Sequence, residues 1–382
     1  MFTTPSTTTH AVIDRTNLGQ IVLVLQGGGA LGAYQAGVYQ ALDEAGIEPD
    51  WVIGTSIGAI NAGIIAGNRP GQRLPRLREF WSRMQRDPVA ELFCQVPGWG
   101  VMAANAMTVL GGLPAFFKPN PLAALGLKLA PEAAGYYSTA PLEKTLADLI
   151  DGEVLAAGAT RLTVGAASVR TAEMRYFDSR EAPVSIRHIM ASGALPPAFP
   201  AVRIDGELYW DGGILSNTPV EAVFDDNPRR SGLVFTVNIW HAEGAEPNDM
   251  ATVMARQKDV QYASRAASQI QRQKQIHRLR HIIAELAGRL PEADQRNPEV
   301  RRLAAYGCLT RMHVVRLQAP AVLGEDQTKD IDFSARGIRE RWEAGYADTI
   351  RVLDQQPWTH QFDPIEGFIL HETEAGTIIS EG

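Results

Sequence analysis

Residues 21 to 66 run strand, glycine loop, helix, then strand, glycine turn, helix, and that order narrows the fold more than any other feature of the chain. "IVLVL" (21–25) is a continuous apolar run rich in β-branched residues, as expected of a strand buried on both faces. After "QGGGALG" (26–32), apolar or small residues at Ala33, Ala36, Gly37, Val38, Ala41 and Leu42 lead to Gly46, a helix with a glycine stop. "WVIGTS" is a second buried strand and "IGAINAGIIAG" a second helix. Two such units within about forty-five residues imply right-handed parallel crossovers and a layered α/β domain.

The pattern persists downstream. Residues 161–169 and 173–179 are expected strands, 185–194 a helix, and "ELYWDGG" and 232–240 further strands. From about Met254 to Leu290 the chain is long, helical and basic, with eight Lys or Arg against Asp259 and Glu285. Ile276, Leu279, Ile283, Leu286 and Leu290 mark an apolar seam on it. Three readings stay open: a helix packed on the body with a solvated basic face, a peripheral membrane-surface contact, or a homodimer seam. A last helix starts near Ser334, with Ile338, Trp342, Tyr346, Ile350 and Leu353 on one face. The expected organisation is a flexible leader (1–18), a main α/β domain (19–245) and a helical C-terminal extension packed on it (246–382).

Composition excludes some partners. The net charge of −7 and pI near 5.7 argue against nucleic acid, which needs surplus Lys and Arg. Two cysteines, Cys94 and Cys308, cannot build a disulfide framework; they suit a reducing compartment and read as small buried apolar residues. The N-terminus lacks a basic start followed by an apolar block, so no signal peptide is expected. Residues 92–117 carry no charge, but their glycines and prolines disfavour a spanning helix. They are expected to wall a pocket, to act as a lid, or to be an apolar connection within the core. The expected location is cytoplasmic, in contact at most with the inner membrane surface.

Gly54-Thr55-Ser56-Ile57-Gly58 sits between a strand and a helix. G-x-S-x-G there makes a sharp turn that projects a serine hydroxyl at the strand's carboxyl end, where the Ile57 N–H and the helix dipole stabilise negative charge. An ordinary N-cap serine in a glycine turn is the plain alternative. The earlier loop fits G-x-G-x-x-G through Gly27, Gly29 and Gly32, but a dinucleotide site needs an acidic residue after the second strand. That strand ends in the Ser56 turn instead, and Asp50 precedes it. The N–H groups of Gly27, Gly28 and Gly29 are therefore candidates for an oxyanion hole facing Ser56.

A third element is "YWDGG", with Asp211 before Gly212 and Gly213. Together, "GGGALG", "GTSIG" and "DGG", with the stretch 191–220, resemble the patatin-like phospholipases over roughly residues 20 to 240. The tail "KDIDFSARGIRERWEAGYADTIRVL" is similar to the C-terminal extension of a bacterial subgroup of that family. The resemblance implies a three-layer α/β/α fold with a mainly parallel sheet, and lipid acyl-ester hydrolysis by a Ser56–Asp211 dyad without metal or other cofactor. Where family members usually carry Arg or Lys in the glycine loop, this chain has Leu31, so the loop offers backbone donors without the positive charge. A free aspartate near pKa 4 is a poor base for serine; burial beside Tyr209 and Trp210 is expected to raise it.

Rival readings remain. His241 follows Asp211 in the chain, as a Ser56–Asp211–His241 triad would require. His277 and His281 have a metal-capable i, i+4 spacing, but no carboxylate or cysteine adjoins them in sequence, which favours a solvated face; His188 reads as structural. The same residues would serve acyl transfer to an alcohol or thiol, and a catalytically silent lipid-binding protein would keep only the fold.

Overall fold

The computed structural model of the chain describes residues 18–86, 105, 108–321, 327–363, 365–374 and 377–381. Residues 1–17 of the expected leader, Cys94 and most of the 92–117 segment lie outside the described residues.

The opening strand–helix pairs are β1 (Gln20–Leu25), α1 (Ala33–Glu44), β2 (Trp51–Thr55) and α2 (Ile57–Ala66), followed by α3 (Arg73–Arg83). Next come β3 (Lys118–Pro119), β4 (Tyr137–Ser138), α4 (Ala140–Leu149), β5 (Arg161–Ser168), β6 (Met174–Asp178) and α5 (Ile186–Ser192). Strands β7 (Val202–Ile204), β8 (Glu207–Asp211) and β9 (Gly232–Asn238) precede the long α6 (Met250–Gly288). The chain closes with β10 (Met312–Gln318), α7 (Ala335–Gln355), β11 (Phe368–Glu374) and β12 (Thr377–Glu381).

Ten strands form one sheet in the order β12-β11-β10-β9-β1-β2-β5-β8-β7, with β6 also on β5. Pairing is parallel from β11 through β5 and antiparallel at both edges. Alternation along β1 shows the layering: Ile21, Leu23 and Leu25 join a core with α1, α2 and α7. Val22 and Val24 face the opposite way, into a core with Val223, Phe224 and Ile270 of α6. A three-layer α/β/α fold with a mainly parallel sheet follows, as expected. The region beyond residue 246 is helical and also adds β10, β11 and β12 to the sheet. That contribution was not anticipated, because "MHVVRLQ" mixes charged residues into its apolar run.

Helix α7 lies against α1. A Cβ on Gly37 would fall 1.9 Å from the Trp342 carbonyl oxygen, and one on Gly345 2.1 Å from that of Tyr34. The Trp342 indole donates to Gln40 Oε1 at 2.7 Å across this contact. Helix α6 departs from its expected face. Leu279 and Leu286 are 60% and 61% exposed, while Ala263, Ile270, His277 and His281 are buried. The leucine spacing is regular, but the helix docks along a neighbouring stripe that alanine and histidine can fit closely. No helix among the described residues is long and apolar enough to cross a membrane.

Candidate active site

Ser56 sits between β2 and α2 with φ 56° and ψ −126°, a region most non-glycine residues avoid. Such strain costs on the order of 1–3 kcal/mol and persists only where neighbours enforce it. Here the Ser56 N–H donates to the Ser192 carbonyl at 3.2 Å and to Ser192 Oγ at 3.1 Å. Ser192 Oγ in turn donates to the Gly165 carbonyl at 2.6 Å, so α5 and β5 together hold the turn. Gly58 lets α2 sit against β1, since a Cβ there would meet the Leu25 carbonyl oxygen at 2.2 Å. Gly54 and Gly32 complete the tight packing, facing Gly58 and Ile57 respectively.

Sheet register brings Asp211 to this turn. β6 occupies one edge of β5 over Thr163–Ala167. β8, paired at Ala166–Ser168, must therefore share the other edge with β2. Thr55 pairs with Gly165 and Asp211 with Ala166, so the C-terminal ends of β2 and β8 meet. Ser56 and Asp211 are the next residue and the last residue at that junction. Gly212 follows where a Cβ would strike the Gly165 carbonyl oxygen at 2.4 Å.

Asp211 is 2% exposed. Burial pushes its carboxyl up to about 7, opposed by the nearby Ser56 hydroxyl and by a hydrogen bond from the Gly213 N–H. The Gly213 bond is 2.7 Å. The expected apolar shell of Tyr209 and Trp210 is not what surrounds it. The Tyr209 ring packs on Phe177, 5.2 Å between centroids, and Trp210 alternates to the other face of the strand. The apolar surroundings are those of the cavity that Asp211 lines with Ser56, walled by Phe116, Phe117 and Phe199.

The glycine loop faces the same cavity through Gly27, Gly28 and Gly29. Its three N–H groups are not equivalent. That of Gly27 donates to the Asn217 carbonyl at 3.1 Å, which removes it from the expected donor set. Those of Gly28 and Gly29 have no acceptor among the described residues. Ile57, at the first position of α2, has an N–H that no intrahelical carbonyl can reach. Gly29 has φ +57° and lies so close to the Asp330 carbonyl that a Cβ would be 2.2 Å from it.

Two residues that sequence reasoning missed hold this loop. Asn217 Nδ2 donates to the Gly27 carbonyl at 3.0 Å, doubling the backbone bond between the loop and the segment after Asp211. Buried Gln26 donates to Thr218 Oγ1 at 2.7 Å and accepts from the Ile239 and Trp240 N–H groups at 2.6 and 3.1 Å. Asn217 and Thr218 stand in "DGGILSNTPV", so the signal lay one turn beyond the aspartate.

The cavity measures about 270 Å³. Of the 92–117 segment, Thr108, Val109, Phe116 and Phe117 line it; residues 92–104, 106 and 107 lie outside the described set. The C-terminal region supplies Tyr262, Ile331 and Phe333. Tyr262 is close enough to Asp211 that the carboxylate, after burial, helps raise its phenol above the usual range. His241 lines a separate depression with Arg316, Gln318 and Glu372 and is absent from this wall. His188 accepts from the Ser185 N–H at 2.9 Å, a helix cap, as its structural reading implied. His277 and His281 correct the expectation of a solvated face: both are 3% exposed, and half-buried Cys308 lies beside them.

Comparisons with known proteins bear on this arrangement. Residues 23–224 match the model of the patatin-like phospholipase family, and residues 260–365 match a second model described as patatin phospholipase. A stretch of 75 residues is 40% identical to patatin-like phospholipase domain-containing protein 6 of Homo sapiens, covering 19% of this chain and 6% of that protein. Another of 78 residues is 49% identical to lysophospholipase nte1 of Aspergillus terreus, covering 20% and 5%. The chain thus spans a small fraction of the length of these curated relatives. Among solved structures, VipD from Legionella pneumophila aligns over 88% of this chain and 67% of its own, with 17% identity and a TM-score of 0.36.

Proposed function

Because the chain belongs to the patatin-like phospholipase family, whose model covers more than half of it, we propose that it is a serine lipid acyl hydrolase working through Ser56 and Asp211. The observation that carries this reading is that Ser56 and the buried Asp211 carboxyl, whose pKa stands near 7, line the wall of one apolar cavity. A carboxylate of ordinary acidity would hold a serine proton poorly; raising its pKa narrows the gap. Asp211 accepts the proton as Ser56 Oγ attacks the ester carbonyl. The N–H groups of Gly28, Gly29 and Ile57 receive the charge on the tetrahedral oxygen. Collapse releases the alcohol, which takes the proton from Asp211 and leaves an acyl-enzyme. Water, deprotonated by Asp211, then cleaves it.

The direct test is covalent labelling with a fluorophosphonate, mapped by mass spectrometry. Labelling at Ser56 is expected in wild type and in His241→Ala, and is lost in Ser56→Ala. Loss in His241→Ala would favour the triad instead, and an unlabelled wild type would sink the hydrolase reading.

A lipid aggregate suits the cavity's rim. The excursion between β3 and β4 exposes Leu122, Leu125 and Leu127 by 51%, 72% and 54%, and Phe117 and Tyr137 at its base line the cavity. Dipping two leucines into a lipid surface is worth about 1.5–3 kcal/mol each. The double variant Leu125→Glu/Leu127→Glu should therefore hydrolyse vesicle-borne substrate about tenfold more slowly or worse. Its rate on a soluble short-chain ester should stay unchanged. Equal losses on both substrates would place the defect in the cavity and not at the lipid surface.

A further inference from the structure

His277 and His281 stand one turn apart on α6, both buried. Beyond the short helix Pro298–Ala304 the chain turns back, and the Cys308 N–H donates to the Arg280 carbonyl at 3.2 Å. One ring nitrogen of each histidine and the Cys308 sulfur then lie within 4.8 Å of one another. The Nε2 atoms of His277 and His281 are 2.8 and 2.7 Å from a single acceptor, the Thr310 carbonyl oxygen. With Nε2–H groups donating there, each Nδ1 is left as a lone pair, and both Nδ1 atoms are buried without a hydrogen-bond partner among the described residues. Two unpaired acceptor nitrogens on neighbouring buried rings call for an explanation.

We propose that His277, His281 and Cys308 bind a zinc ion. Two imidazoles and a thiolate are a borderline-soft donor set that suits Zn²⁺ in tetrahedral coordination, with water in the fourth position. A carbonyl that accepts the second ring N–H is the usual outer partner of a metal-bound histidine, and Thr310 already holds that place. Arg229 and Arg280 are the nearby cations felt by this cluster. They disfavour a hard, oxygen-seeking cation such as Ca²⁺, whereas Zn²⁺ on one thiolate carries a single net positive charge. The ion would clip the returning segment to α6 just before β10 begins at Met312. His277 is fifteen residues beyond Tyr262, about 22 Å along the helix axis, so the clip stands apart from the Ser56 cavity.

The test titrates the purified full-length chain with Zn²⁺ against a chromophoric chelator, and with Co²⁺ to read a sulfur-to-metal charge-transfer band. One equivalent is expected in wild type, with the cobalt band present. Cys308→Ala should lose the band and bind Zn²⁺ about tenfold more weakly or worse, whereas Cys94→Ala should do neither. Because Cys308 is only half-buried, its alanine variant should retain the far-UV circular dichroism of wild type. Zinc should also slow alkylation of Cys308 in wild type, a readout that needs no variant. No binding by wild type, or equal binding by wild type and Cys308→Ala as an adventitious ion would show, overturns the proposal. Fluorophosphonate labelling of Ser56 should be the same in all these proteins, which keeps the result separate from the hydrolase reading.

Discussion

Asp211→Asn should lower ester turnover by about four orders of magnitude while raising the melting temperature at pH 8. The two effects share one cause. Burial holds the folded carboxyl near 7, far above its ordinary value of 3.8, so the folded state carries an ionised Asp211 only at a cost. Between about pH 4 and 7 the unfolded chain releases this proton and the folded chain keeps it, so stability falls as pH rises through that window. Above it the full penalty is present, on the order of a few kcal/mol. Asparagine keeps the acceptor for the Gly213 N–H without the buried charge, and the variant should melt several degrees higher at pH 8. Below pH 4 the two proteins should converge. Wild-type activity should rise through an apparent pKa near 7, and that limb should vanish in the variant's residual rate. An Asn variant that melts lower at pH 8 would show that the carboxylate is stabilising. One that keeps its turnover would remove Asp211 from the chemistry.

How much of this was legible beforehand follows from the range of the forces involved. β1, α1, β2 and α2 are set by local periodicity and by glycines whose neighbours lie a few residues away, and a linear pattern records both. Ser56 and the Gly212 turn were legible for the same reason. The pairing of Asp211 with Ser56 depends on β8 sharing an edge of β5 with β2, which no spacing encodes; only the family resemblance pointed to it. Gln26 and Asn217 were missed because buried amides carry no periodic signal, and their partners lie about 190 or more residues away. Helix α6 misled because leucines at three- and four-residue steps imply a buried stripe, yet the docked stripe is formed by Ala263, Ile270, His277 and His281. Cys308 had no recognisable role until the chain folded back over Arg280.

Gly345→Leu should destabilise the protein by more than 3 kcal/mol, because the contact it breaks is backbone against backbone. A Cβ at Gly345 would stand 2.1 Å from the Tyr34 carbonyl, and Gly37 is equally tight against Trp342 from the other side. No rotamer change relieves either clash, so α7 must lift from α1. Lifting exposes Ile338, Trp342 and Leu353, each worth about 1.5–3 kcal/mol when buried. The segment just before α7 moves with it, and that segment presses the Asp330 carbonyl on Gly29 and lends Phe333 to the cavity. Labelling of Ser56 should therefore fall at temperatures where the sheet is still folded by circular dichroism, since the glycine loop loses its brace first. Ala347→Leu, on the exposed side of the same helix, is the control and should shift stability by no more than about 0.5 kcal/mol. If Gly345→Leu melts and labels like that control, α7 is not seated on α1, and the C-terminal region cannot be completing the Ser56 cavity.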